Sequence, residues 1–178
     1  SNTFGIYRNI FKSYNKCIHM EDLSKYFKDR GCDYWYEYQE SYGDLDVREK
    51  TIQLIGGDCG SSALFFLLNG ADKIIQYEKD NNKNELFKNA ICHEFNICDD
   101  VEIKGEWKGE YEDTNIFIMD CEGCEEHLDL TKLNKYELSC IAIHEWTKNR
   151  TKLLKEMKGW KLQFTSADGK ELMFCKSR

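Results

Sequence analysis

Two apolar patterns divide the chain. In the first 50 residues, apolar positions recur at helical spacing. After Thr51, short unbroken apolar runs alternate with polar turns and amphipathic stretches. Within residues 4–30, Ile6, Ile10, Phe11, Tyr14 and Ile18 share one helical face. A second helix starts near Met20–Glu21, carries Leu23, Tyr26 and Phe27, and ends at Gly31. Residues 33–42, DYWYEYQESY, are dense in rings and acids. They suit a short strand, a lid over a site, or a set of rings packing this appendage onto a core.

Thr51–Ile55 is a β-branched apolar run followed by Gly56-Gly57-Asp58-Cys59-Gly60, a turn no strand continues through. Ser61 or Ser62 can cap the helix that follows, Ala63–Leu68 is apolar on all sides, and Asn69-Gly70 stops it. Lys73–Tyr77 is the next strand, ending at Glu78. So compact a strand–turn–helix–strand unit implies parallel strands joined by a right-handed crossover. Such units bind ligands outside the carboxyl ends of their strands, which brings the glycine turn and Glu78 to one place.

The alternation continues. Asn84–Phe95 is an amphipathic helix, and Val101–Trp107 is a third strand with Glu106 and Trp107 at its end. Asn115–Met119 is a fourth strand, and it runs into Asp120-Cys121-Glu122-Gly123-Cys124-Glu125-Glu126. Cys140–His144 is a fifth strand, and Thr151–Met157 is a helix. Trp160–Thr165 and Glu171–Cys175 make a hairpin around an Asp168-Gly169 turn. The pattern predicts an α/β fold: a doubly wound, mostly parallel sheet with a C-terminal antiparallel hairpin. Residues 1–50 form a helical and aromatic appendage to a core of residues 51–178.

Composition narrows the function. The 178 residues are 41% hydrophobic, enough for a core, and carry a formal net charge of −7. That acidity argues against non-specific nucleic-acid binding, which rests on Lys and Arg contacts to phosphate. No apolar run is long enough to span a bilayer, so a cytoplasmic protein without membrane partners is expected. Nine cysteines are many, but the count is odd and the chain is not small, which favours reduced thiols over a disulfide framework. The aromatic stretch leaves room for a homodimer contact.

The glycine turn and Glu78 carry a nucleoside-binding signal. A bare turn admits a ligand to the backbone, and a carboxylate at the next strand's end accepts hydrogen bonds from a ribose diol. Glu78 lies 18 positions after Gly60, but Asp58 and Ser61 break the dinucleotide pattern G-x-G-x-x-G. Glu106 and Trp107 suit an adenine pocket through a hydrogen bond and stacking. Asp120 and Glu122, at a strand's carboxyl end, are first candidates for a general base, with His144 or Glu145 second. A rival reading is zinc at Cys121-x-x-Cys124-x-x-His127, although no second C-x-x-C pair follows at zinc-ribbon spacing.

Four motifs and the closing hairpin together resemble class I, Rossmann-like S-adenosylmethionine-dependent methyltransferases, and FkbM-like ones in particular. LIGGDCG (54–60) resembles D-x-G-A-N-x-G, and YEKD (77–80) resembles F-E-P-N. IMDCEGCE (118–125) resembles I-D-x-E-G-x-E, and IAIHEW (141–146) resembles the strand that ends in Glu. The resemblance implies S-adenosylmethionine as cofactor. Gly56, Gly57, Asp58 and Gly60 would surround its methionine part and Glu78 would hold its ribose. Asp120 and Glu122 would lie beside the methyl group and an acceptor hydroxyl on a small molecule or sugar. Leu54 departs from the pattern, standing where the family carries an acid, and Lys79 replaces its proline. A non-catalytic, nucleoside-binding member of the fold is the competing reading.

Overall fold

A computed structural model describes residues 20–32 and 35–178. The helix expected from Ile6, Ile10, Phe11, Tyr14 and Ile18 lies outside the described residues. Helix α1 (Met20–Lys28) is followed by a 3₁₀ turn (Trp35–Glu37) and α2 (Tyr38–Tyr42). The core then runs β1 (Thr51–Ile55), α3 (Ser61–Leu68), β2 (Lys73–Tyr77), α4 (Asn81–Leu86), a π-helical turn (Phe87–Ile91) and α5 (Cys92–Glu94). It continues through β3 (Val101–Lys104), β4 (Ile116–Met119), β5 (Leu138–His144), α6 (Arg150–Glu156), β6 (Lys161–Thr165) and β7 (Glu171–Ser177). No helix among the described residues is long and apolar enough to cross a membrane.

The seven strands form one sheet in the order β3-β2-β1-β4-β5-β7-β6. Strands β1 to β5 are parallel, and β7 lies antiparallel to both β5 and β6. Strand order reverses between β1 and β4, the place where open α/β sheets bind ligands. Side chains alternate between two buried layers. Ile52, Leu54, Ile116 and Ile118 face one layer, and Ile55, Phe117, Met119 and Ile141 face the other.

Helix α3 is buried along its whole length, in keeping with its apolar sequence. Its start differs from expectation. Gly60 at φ +92° occupies the N-cap and no side chain caps the helix. The Ser61 hydroxyl instead pairs with the Tyr38 hydroxyl at 2.8 Å. Helix α4 begins three residues before the expected Asn84, because Asp80 caps it through the amides of Asn82 and Lys83. β3 is shorter than expected, so Glu106 and Trp107 stand in the loop beyond it.

Residues 35–42 are helical, not extended. Trp35 and Tyr38 lie 5.7 and 5.8 Å from the Phe65 ring, and Tyr42 lies 4.8 Å from Phe66. Leu23, Phe27, Trp35, Tyr38, Tyr42 and Val47 share one buried cluster with α3. The expectation of reduced thiols is corrected by four disulfides: Cys32–Cys59, Cys92–Cys98, Cys121–Cys124 and Cys140–Cys175. The odd count misled because one unpaired residue says nothing about the other eight; Cys17 lies outside the described residues. Antiparallel register brings Cys140 and Cys175, distant in sequence, face to face across β5 and β7.

Candidate functional site

The parallel register assembles the site. Ile55 pairs with Tyr77 on one side and with Met119 on the other. The next residues, Gly56, Glu78 and Asp120, therefore emerge side by side at the carboxyl edge of the sheet. Backbone bonds hold this edge: Gly56 N–H donates to the Tyr77 carbonyl at 2.9 Å, and Asp120 N–H to the Ile55 carbonyl at 2.8 Å. Above it opens a cavity of about 680 Å³, within the range of small-molecule sites.

Gly56 is required here. Its φ is +85°, and an added Cβ would lie 1.8 Å from the Asp120 carbonyl oxygen. Gly57 and Gly60 do not line the cavity; they let the turn close-pack. A Cβ on Gly57 would strike the Gln76 side chain at 2.0 Å, and one on Gly60 the Phe87 ring at 2.4 Å. Asp58, also at positive φ, faces the cavity and pairs with Lys83 at 2.6 Å. Glu78 lines the cavity and ties its rim together. One carboxylate oxygen accepts from Asp58 N–H at 3.0 Å, the other from Asp80 N–H at 2.9 Å. Each oxygen keeps a second lone pair for a ligand hydroxyl.

Glu106 and Trp107 line the same end of the cavity. Glu106 is exposed, while the Trp107 indole is buried and donates to the Glu110 carbonyl at 2.7 Å. Asp120 and Glu122 line the other end. Glu122 sits at φ +55° in the turn after β4, and its carbonyl accepts from the Trp146 indole N–H at 2.9 Å.

His144 lies behind this wall, not on it. Its ring is 4% exposed and is enclosed by three carboxylates: Nδ1 is 2.9 Å from Glu125, and Nε2 is 3.0 Å from Glu171 and 3.3 Å from Asp120. Burial alone would lower its pKa. Hydrogen bonds to Asp120, Glu125 and Glu171 outweigh that and raise it to about 12. His144 is thus a held imidazolium at neutral pH. Both ring nitrogens are engaged by carboxylates, and the ring does not line the cavity.

Glu125 is fully buried and also accepts from the Thr147 hydroxyl and from Gly123 N–H. Burial pushes its pKa up, but the His144 and Thr147 bonds overcome this and hold it below the usual carboxylate value. Asp120 differs, with about a third (32%) of its side chain exposed to the cavity. Burial raises its pKa and the Glu171 charge adds to the rise, against the lowering effect of His144.

Sequence reasoning had placed Glu125 in the acid cluster without a role and had missed Glu171. Glu171 opens the hairpin's second strand, and only the β5–β7 register places it opposite His144. Tyr38, Tyr42 and Glu37 also line the cavity, so the aromatic stretch both packs on the core and borders the site. The zinc reading of Cys121, Cys124 and His127 is overturned, since the two sulfurs are joined and His127 is exposed.

Two relatives match almost end to end. Uncharacterized protein 158B of Sulfolobus islandicus rod-shaped virus 1 is 56% identical over 156 residues, 87% of this chain and 99% of that protein. Uncharacterized protein 65 of Sulfolobus islandicus filamentous virus (isolate Iceland/Hveragerdi) is 52% identical over 158 residues, 89% of this chain and 99% of that one. The chain belongs to the family of these viral proteins. No protein-family model matches it.

Solved structures supply the fold. An O-methyltransferase from Bacillus cereus, in complex with S-adenosylhomocysteine, superposes with a TM-score of 0.60 at 9% identity, covering 97% of each chain. Fibrillarin from Aeropyrum pernix, with bound S-adenosylmethionine, gives 0.51 at 12% identity, covering 76% of this chain and 70% of that one. The C-terminal domain of precorrin-6Y C5,15-methyltransferase from Rhodobacter capsulatus gives 0.55 at 13% identity, covering 74% and 82%. The fold is that of the Rossmann-like, class I methyltransferases. The narrower FkbM-like resemblance rests on the sequence motifs.

Proposed function

We propose that this chain is an S-adenosylmethionine-dependent methyltransferase acting on a small acceptor. One observation carries the reading. The β2-β1-β4 register sets the Gly56 turn, Glu78 and Asp120 at a single cavity on the sheet's switch point. The residues present suit the cofactor chemically. Glu78 retains lone pairs for a ribose diol, Glu106 offers an acceptor for an exocyclic amine, and Asp120 offers a carboxylate that would suit a cationic cofactor.

When bound, the cofactor supplies an activated methyl group on a positive sulfur. The protein's part is positioning and charge. Asp120, exposed to the cavity and steadied by His144, is placed to take a proton from the attacking group, a contribution typically worth ~10²–10⁴-fold. On the FkbM-like resemblance alone, that group would be a hydroxyl of a small molecule or sugar.

A second reading is favoured by Leu54. It is buried at the position where the family carries an acid, which suits a member of the fold that binds a nucleoside without turning it over. Calorimetric titration with S-adenosylmethionine and S-adenosylhomocysteine, on wild type and Glu78→Ala, tests the first step. Micromolar binding lost in the variant supports the cofactor reading. No binding at millimolar cofactor refutes it, and binding without transfer to any acceptor supports the second reading.

A further inference from the structure

The acceptor end of the cavity has a charge that methyl transfer to a neutral hydroxyl does not need. Asp120, Glu122, Glu171 and Glu37 all line it. Among the described residues no lysine or arginine forms an ion pair with any of the four; His144 alone answers Asp120 and Glu171. That single imidazolium is shared with the fully buried Glu125 as well. Lys79, Lys83 and Lys148 also line the cavity; Lys83 is engaged by Asp58 and Lys79 follows Glu78 beyond β2, which leaves Lys148 as the lysine on the β5 side.

The walls between these carboxylates are aromatic. Tyr38 and Tyr42 form one side. Trp146 forms another, with its indole stacked on His144 at 4.9 Å and 54% of its surface still exposed. Tyr42 feels the charges of Asp120, Glu171 and Glu37 together, and Glu37 feels that of Glu171, so these groups surround one space. Four carboxylates that share one imidazolium, set around electron-rich rings, favour an organic cation over a phosphate.

Resting on the methyl-transfer reading above, we propose that the acceptor is an amine, recognised as its ammonium form between Glu37, Glu171 and the Trp146 and tyrosine rings. The reaction balances as follows. The ammonium gives a proton to the Asp120 carboxylate and becomes a free amine. Its nitrogen lone pair forms a bond to the methyl carbon as the carbon–sulfur bond breaks, and that electron pair leaves with sulfur. The product is a methylated ammonium and a neutral thioether. Glu37 and Glu171 select the acceptor and do not touch the methyl group.

The test is binding to protein loaded with S-adenosylhomocysteine, with three probes of one shape: 2-phenylethylamine, 2-phenylethanol and 2-phenylethyl phosphate. The amine is expected to bind ~10-fold or more tightly than either of the others. Glu37→Gln and Glu171→Gln should each weaken amine binding several-fold and leave S-adenosylhomocysteine affinity unchanged. Glu37 lies outside the buried His144 cluster, so its variant stays informative if Glu171→Gln folds poorly. Equal or tighter binding of the alcohol or the phosphate overturns the proposal. So does amine binding indifferent to Glu37→Gln, or no binding of the amine. Failure of S-adenosylhomocysteine itself to bind would instead strike the methyltransferase reading.

Discussion

Replacing His144 with glutamine isolates the charge at the centre of the carboxylate cluster. Glutamine keeps a hydrogen-bonding side chain and the backbone N–H of residue 144, which donates to Glu125 at 3.1 Å. What disappears is the cation. Glu125, fully buried, then keeps its Thr147 and Gly123 donors but faces Asp120 and Glu171 with nothing positive between them. Breaking a buried pair by removing one partner costs roughly 3–5 kcal/mol. For a chain of this size each kcal/mol is about 2–4 °C, so the expected fall in Tm is roughly 6–20 °C.

The pH dependence gives an independent check. His144 is raised from 6.5 to about 12 in the folded protein. Its stabilisation is fully present below pH 6.5 and is lost as pH rises through about 12. With Asp120 replaced by asparagine in both proteins, so that its own titration near 7 drops out, the gap in Tm between the forms without and with His144→Gln should therefore narrow from about pH 6 to about pH 9. Calorimetric melts of both proteins across that range, without reductant, measure it. A gap under ~2 °C, less than a buried pair requires, or one that does not change with pH, would refute the held imidazolium.

Two further outcomes are expected. Gly56→Ala combines a positive φ, costing ~1–3 kcal/mol on its own, with a Cβ 1.8 Å from the Asp120 carbonyl oxygen; nucleoside binding should be lost, and equilibrium dialysis showing wild-type affinity would contradict the site as drawn. Cys175→Ser opens a disulfide between residues 35 apart in sequence, for which loop entropy predicts a loss of about 4 kcal/mol; urea unfolding within ~1 kcal/mol of wild type would show that the Cys140–Cys175 bond does not constrain the unfolded chain.

What could be read along the chain was what neighbouring residues determine. Thr51–Ile55 and Lys73–Tyr77 are strands within their expected limits, because apolar β-branched runs bounded by turns have few other uses. The glycine turn and Glu78 meet at the cavity because a short parallel crossover leaves them no other place. The His144 cluster depends instead on register between segments far apart. Glu171 reaches His144 only because β7 lies against β5, and nothing near Glu171 in sequence records that neighbour. The Cys140–Cys175 pairing was hidden for the same reason. The role of residues 35–42 was half legible: their rings announced packing, but only the docked 3₁₀ turn and α2 show Glu37 and Tyr42 at the site.

The place of β7 in the sheet has a consequence for how the molecule is made. β7 follows β6 along the chain, yet it lies between β5 and β6. A nascent chain complete through β6 still has one side of β5 bare, and β6 has no strand to join. An uncovered strand edge is a template for another chain, so this interval is when the protein is most exposed to mispairing. Docking of β7 against β5 brings Cys175 to Cys140 and Glu171 to His144 together. The wall behind Asp120 is therefore completed only after β7 has joined β5, whereas the glycine turn and Glu78 follow strands that precede it in the chain.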